Sequence, residues 1–303
     1  VNNNKKALAA ALGSVFAASF SAIFIRIAVQ SGTDPVILAF WRLFLSCLLL
    51  VPYTLRQPHY RHELSRLSKS QISLMILSGL LLSLHFSSWF VSLKYTATVS
   101  STLLVCTEPA FVLIGAFLIF GERPCRKALP GLLAAAAGIL LVALPTGNGG
   151  SAFDSGSTAL WGNLLALFGA ISVSGYILAG RALMGNLSTL LYSTCVYTVC
   201  LAGLGLLAFS LGHSILRINL TGLLMAAGLA LVCQLLGHTV CNWALKFTKA
   251  ANVSSVYLLE PVLTAFWVLL IWKEVPGLPV ILGGSLLLSG ILYFIRCESE
   301  LCD

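Results

Sequence analysis

The sequence predicts an all-α integral membrane protein of ten transmembrane helices, built as two five-helix repeats of opposite orientation, and three observations predict it. The first is composition. Of the residues, 58% are hydrophobic and 9% charged, with a mean hydropathy of +0.95, against about 25% charged residues in soluble chains. The second is segmentation. A span needs about 20 mainly apolar residues, and the chain divides into ten such stretches near residues 7–29, 34–55, 72–93, 96–120, 127–145, 159–180, 188–211, 219–243, 249–272 and 277–295. The third is duplication. At a gapless offset of 152 residues, Glu108-Pro109 meets Glu260-Pro261, Glu122 meets Glu274, Pro124 meets Pro276, and Gly131 and Gly138 meet Gly283 and Gly290. Coincidences of that kind mark a duplicated unit.

The two units are residues 1–148 and 149–303. Each carries five spans, and an odd number makes the second half enter the membrane from the side opposite to the first. Inverted repeats of this type are the architecture of many secondary transporters, whose substrate sites lie near the midplane between the halves.

Lys5 and Lys6 precede the first apolar run, which is too long for a signal-peptide core and is expected to remain as a span. With that end inside, the cytoplasmic face collects 13 Lys and Arg residues, among them Arg56, Arg61, Arg66 and Lys69. The other face has four, Arg26, Lys94, Arg217 and Lys273. By the positive-inside rule both termini are cytoplasmic. Orientation thus accounts for the net charge of +8; the stretch from Arg56 to Lys69 is expected at anionic headgroups, and nothing else supports a nucleic-acid partner.

In span 2, Arg42 follows Trp41 and lies too deep for easy snorkelling. An ionisable group at that depth costs about 2.5–3.5 kcal/mol on the insertion scale, so it serves either a cavity or a junction of helices whose carbonyls it bonds. Span 3 carries His85, Trp89 and Ser92 on one helix face. Span 8 answers with Gln234, His238 and Asn242, spaced by four, and Trp243 beside them. Two polar-aromatic stripes at nearly equivalent places in the repeats point to a cavity lining.

Glu108-Pro109 and Glu260-Pro261 fall at the centres of spans 4 and 9. Proline removes a helical hydrogen bond, so a kink with freed carbonyls is expected at mid-membrane depth, where irregular backbone is tolerated only inside protein or along a wet cavity. The inverted symmetry is expected to bring Glu108 and Glu260 close together, where they would titrate as a unit and couple transport to protons. Hydrogen-bonded staples at the repeat interface are the alternative. Glu122 and Glu274, at span ends ahead of prolines, suit the N-termini of the following helices. The glycines spaced by seven mark close-packing faces of spans 5 and 10.

The nine cysteines form no CxxC or Cys/His cluster, so neither a metal site nor a disulfide framework is expected. The N-x-S/T triplets at Asn186, Asn219 and Asn252 lie at or inside span ends, where a glycan could hardly be attached.

The ten-span pattern, the Arg near the start of span 2 in FWRLFLSCLLL, and EPAFVLIGAFLIFGERP echoed by EPVLTAFWVLLIWKEVP resemble the EamA family of the drug/metabolite transporter superfamily. LHFSSWFVSLKYTATVSS and GHTVCNWALKFTKAANVSS are similar to a bacterial subgroup. The resemblance covers Ala7 to Arg296. It implies helices around a central cavity, spans 5 and 10 toward the periphery, a bacterial cytoplasmic membrane, and small metabolites as substrates, often exported.

An intramembrane enzyme is the competing class. His238 and Asn242 have the spacing of the rhomboid protease helix, but the GxSG turn is missing, and the three aspartates, Asp34, Asp154 and Asp303, lie outside the membrane centre. Walker, HExxH and dinucleotide motifs are absent too. The expectation is therefore a transporter without cofactor. Its partners are a small-molecule substrate and the lipid bilayer, with a homodimer left open. Trp41, Arg42, His85, Trp89, His238, Asn242, Trp243 and Tyr257 are expected to line the pathway, and Glu108, Pro109, Glu260 and Pro261 to form its kinked, proton-responsive elements. Aromatic walls with a few convergent polar groups favour amino acids or close relatives.

Overall fold

The computed structural model describes residues 2–121, 127, 129–143, 157–184, 187–240, 243 and 258–301. Every regular element among them is helical: α1 (Asn2–Ala18), α2 (Ser21–Gln30), α3 (Pro35–Arg56), α4 (Pro58–Ser65), α5 (Lys69–Tyr95), α6 (Thr98–Val105), α7 (Glu108–Phe120), α8 (Leu129–Ala143), α9 (Ser157–Met184), α10 (Thr189–Ser210), α11 (Leu220–Gly228), a π-helical segment (Leu229–Thr239), α12 (Glu260–Trp272) and α13 (Leu278–Leu301). Among the described residues, seven helical stretches are long and apolar enough to cross a membrane. They are Ala9–Gln30, Pro35–Arg56, Lys69–Tyr95, Thr98–Ile119, Thr158–Leu183, Thr189–Ser210 and Leu220–Thr239. Three shorter apolar helices, Leu129–Val142, Glu260–Trp272 and Leu278–Phe294, stand beside them. Large apolar side chains such as Leu118, Leu133, Leu206 and Leu270 are exposed on the outside, as a chain solvated by lipid requires.

Helix boundaries follow local chemistry. Asp34 caps α3, its carboxylate accepting from the Val36 and Ile37 amides at 2.9 and 3.2 Å with Pro35 in the first turn. Ser68 and Gln71 form a capping box on α5. Asn219, expected to be an idle N-x-T triplet, caps α11: its Oδ1 accepts from Gly222 N at 2.7 Å while Nδ2 donates to the Ser31 carbonyl, also at 2.7 Å. That bond ties α11 to the turn between α2 and α3. Arg56, Arg61, Arg66 and Lys69 are all exposed around α4.

Among the described residues, two spans are broken rather than continuous. The first divides at Ser19 and Phe20, where Thr264 Oγ1 of α12 donates to the Ser19 carbonyl at 3.3 Å and the Trp267 indole to Ser19 Oγ at 3.0 Å. The break satisfies its polar groups through the neighbouring helix. The fourth was expected to kink at Pro109. Instead α6 ends at Val105 and a new helix, α7, starts at Glu108 with Pro109 in its first turn, the position proline favours because no intrahelical N–H is needed there. Ser174 Oγ of α9 donates to the Glu108 carbonyl at 3.0 Å.

α7 and α12 end alike. Gly121 (φ 69°) and Lys273 (φ 56°), one repeat apart, each cap their helix in the left-handed conformation and donate to the Phe117 and Leu269 carbonyls. Glu274, expected at the N-terminus of the following helix, lies four residues before α13 and pairs with Arg26 on α2; Glu122 lies outside the described residues.

The glycine faces meet each other. A Cβ on Gly131 would stand 2.6 Å from the Gly290 carbonyl oxygen, and one on Gly138 would stand 2.6 Å from that of Gly283. α8 and α13 therefore run antiparallel with backbones in contact. Elsewhere α5 packs on α9 and α10, while the π-helical segment packs on α1 and α3.

Candidate functional site

Arg42 sits eight residues past the Asp34 cap and is completely buried at 0% exposure. Its Nε donates to Gln234 Oε1 of the π-helical segment at 2.9 Å. The guanidinium carbon lies 4.2 Å from the Phe86 ring centroid and 5.7 Å from that of Phe90. Nη1 and Nη2 have no hydrogen-bond partner among the described residues. Among the described residues, no backbone carbonyl accepts from the Arg42 guanidinium. Desolvated cation–π contact is worth about 2 kcal/mol, whereas burying unsatisfied donors costs about 1–3 kcal/mol for each group. Stacking alone does not balance the site.

Around Phe86 the helices α3 and α5 and the π-helical segment bring together four of the expected residues. His85 Nδ1 is 2.9 Å from the Gly169 carbonyl of α9; since a carbonyl only accepts, Nδ1 carries the proton and Nε2 is left as the acceptor. The His85 ring stacks on Trp89 at 5.7 Å and lies 5.1 Å from Phe86. His238 meets Phe86 edge-on at 6.1 Å. The Trp89 indole N–H is buried without a partner among the described residues. Arg42, His85, Trp89 and His238 thus share one aromatic hub.

Other expected members are elsewhere. Trp41 turns away: its indole donates to the Ile215 carbonyl at 2.8 Å and its ring packs on Phe40 and Phe44. Neighbouring residues on a helix point about 100° apart, so Trp41 does not share the direction of Arg42. Trp243 is 43% exposed rather than buried with the hub. Asn242 and Tyr257 lie outside the described residues. Three further residues stand with the hub, Gln234 of the span 8 stripe and two that the expected pathway residues did not include. They are Phe86, Gln234 and Tyr197, whose buried hydroxyl lies beside Gln234, Thr239 and Ser193. Gln234 was legible as the first member of the span 8 stripe; Phe86 carries no polar group to signal it.

Glu108 and Glu260 are not mid-helix. Both stand in the first turn of a helix, α7 and α12, and both are half-buried. The positive end of a helix dipole and its free N–H groups favour a carboxylate there. Each is within electrostatic range of the other, and Glu260 is within range of Arg42. Two acids and one base therefore share the interior with the aromatic hub. Pro109 and Pro261 occupy the same helix starts.

A solved crystal structure superposes with a TM-score of 0.65 at 16% identity, covering 99% of each chain, a likeness of fold alone. A protein of Archaeoglobus fulgidus named "Uncharacterized transporter" is 27% identical over 300 residues, covering 96% of this chain and 97% of its own. "Uncharacterized transporter YyaM" of Bacillus subtilis is 27% identical over 240 residues, covering 75% of this chain and 74% of its own. The profile described as the EamA-like transporter family matches residues 5–144 and 160–296, and the chain belongs to that family.

Proposed function

We propose that the protein is a secondary transporter that exports small metabolites, amino acids or close relatives foremost, across the cytoplasmic membrane by alternating access. The observation that carries this reading is the buried hub, where Arg42 keeps two nitrogens unpartnered against aromatic walls. A charged group held in that state is expensive as packing and useful as recognition.

Ten spans in two inverted repeats fit this activity. Counted with the seven longer stretches, the three shorter apolar helices support that number. Reciprocal glycine contacts, matching left-handed caps at Gly121 and Lys273, and the paired packing of α5 on α9 and α10 and of the π-helical segment on α1 and α3 all support the inversion. With both termini cytoplasmic, the hub lies between halves able to rock about it. Glu108 and Glu260, at the starts of helices from opposite repeats, are suited to exchange protons with the transport cycle.

Radiolabelled amino-acid flux in proteoliposomes tests the reading. Flux is expected in wild type and loss of it in Trp89→Ala and Asn242→Ala at unchanged membrane levels. Normal flux in both variants would make these faces packing surfaces.

A further inference from the structure

The unpaired nitrogens at the heart of this chain are all donors. Arg42 Nη1 and Nη2, Gln234 Nε2 and Trp89 Nε1 are closed off from solvent with no partner among the described residues. None of these four nitrogens accepts a hydrogen bond. Buried polar groups are ordinarily satisfied, and Gln234 Oε1 is already taken by Arg42 Nε. Donors left unpartnered beside aromatic walls are complementary to a ligand that brings acceptors.

Geometry narrows the ligand further. Phe86 covers a face of the guanidinium at 4.2 Å, and Gln234 occupies the Nε side, which leaves the Nη1–Nη2 edge. Two parallel donors in one plane match the two oxygens of a carboxylate, and that bidentate fit is what distinguishes arginine from lysine. Glu260 stands within electrostatic range of Arg42 and makes no hydrogen bond to it among the described residues. A second, negative pole is therefore close by.

We infer that Arg42 is the docking point for a carboxylate of the transported molecule, held by Nη1 and Nη2 beside Phe86 with Gln234 Nε2 as a further donor, and that the molecule's cationic end turns toward Glu260. The inference rests on the transporter reading and narrows it to carboxylate-bearing zwitterions. It also assigns Gln234 two tasks, orienting Arg42 through Oε1 and meeting the ligand through Nε2.

The test is thermal stability of the purified full-length protein with each of the twenty L-amino acids, the matching amines lacking the carboxyl group, the matching carboxamides, and inorganic phosphate. A ligand that binds only the folded state raises the melting temperature by mass action. At least one amino acid is expected to stabilise wild type in a dose-dependent way while its amine and carboxamide do not. Arg42→Gln should abolish the shift. Gln234→Glu should abolish it too, because an internal carboxylate would then occupy the guanidinium; this variant is expected to fold even where Arg42→Gln does not. Equal stabilisation by an amine, a carboxamide or phosphate overturns the inference, as does a shift that survives Gln234→Glu. Silence across the set in a protein whose proteoliposomes carry sugars or cationic dyes overturns the inference and leaves the transporter reading standing. Silence with no flux of any solute overturns both.

Discussion

Arg26 and Glu274 lie fork to fork, Nη1 on Oε2 at 2.7 Å and Nη2 on Oε1 at 2.6 Å, although 248 residues separate them. The Trp272 ring lies 4.3 Å from the guanidinium carbon, and Thr98 Oγ1 accepts from Nη1 at 3.4 Å. One pair thus ties α2 to the segment after α12 and to the start of α6. Arg26 is nearly buried and Glu274 a quarter exposed, 8% and 25%, which places the pair between a screened surface bridge and a fully desolvated one.

The coupling between these two residues is expected to be about 1 kcal/mol, discounted for the exposure of Glu274. A cycle of Arg26→Gln, Glu274→Gln and the double variant, read by thermal unfolding in detergent, measures it. Strictly additive losses would show that the fork contributes nothing as a pair.

The glycine seam predicts a steep response to one methyl group. Gly138→Ala and Gly290→Ala would each drive a Cβ to within 2.6 Å of backbone oxygen on the opposing helix, and overpacking of this sort costs about 1–3 kcal/mol. Gly13→Ala is the control: nothing lies within 4 Å of its added Cβ, and helix propensity alone favours alanine by about 1 kcal/mol. Similar melting temperatures for all three variants would contradict the contact.

Pro109→Ala restores an N–H at the junction of α6 and α7 and removes the ring that disfavours a continuous helix. Slower flux at normal membrane levels is expected, with increased hydrogen-exchange protection around residues 106–110. Unchanged protection and unchanged flux would mean that the break is held by Thr107 and Ser174 rather than by the proline.

Proton coupling is read by imposing pH gradients on proteoliposomes. Wild-type flux is expected to follow the gradient, and Glu108→Gln or Glu260→Gln to weaken that dependence. A wild type indifferent to the gradient, with both variants fully active and correctly inserted, would leave the glutamates as interface staples.

Orientation has its own check. A reporter fused after Arg296 is expected to be active only in the cytoplasm. Alkaline phosphatase activity there would contradict the inverted arrangement of five spans per half.

The sequence made the helical membrane class legible because hydrophobic runs of span length admit few other structures. It made Arg42, His85, Trp89 and His238 legible because charged and polar-aromatic groups are anomalous at that depth. Phe86 was invisible, since a phenylalanine among apolar neighbours gains meaning only when a guanidinium lies on its ring. Trp41 was misplaced by adjacency: chemistry suggested grouping it with Arg42, and helical rotation separates them. The break at Ser19 carries no proline or glycine to announce it; its cause is the hydroxyl and indole of Thr264 and Trp267, contributed from far along the chain. Glu274 looked like a helix-start carboxylate because its ion-pair partner stands 248 residues away.

The contact of Gly131 with Gly290, and of Gly138 with Gly283, is self-complementary: each glycine faces the repeat counterpart of the other. Surfaces with that rule close equally well within one molecule or between two. Inside a single chain the seam enjoys an effective concentration of about a millimolar, which keeps it closed on itself in a dilute membrane. At crowding comparable to that value, α8 of one molecule and α13 of another become competitors for the same bond, and exchanged dimers should accumulate. Lipid dilution on native gels would dissolve them, and Gly138→Ala should suppress them; a dimer indifferent to both would have to use some other face.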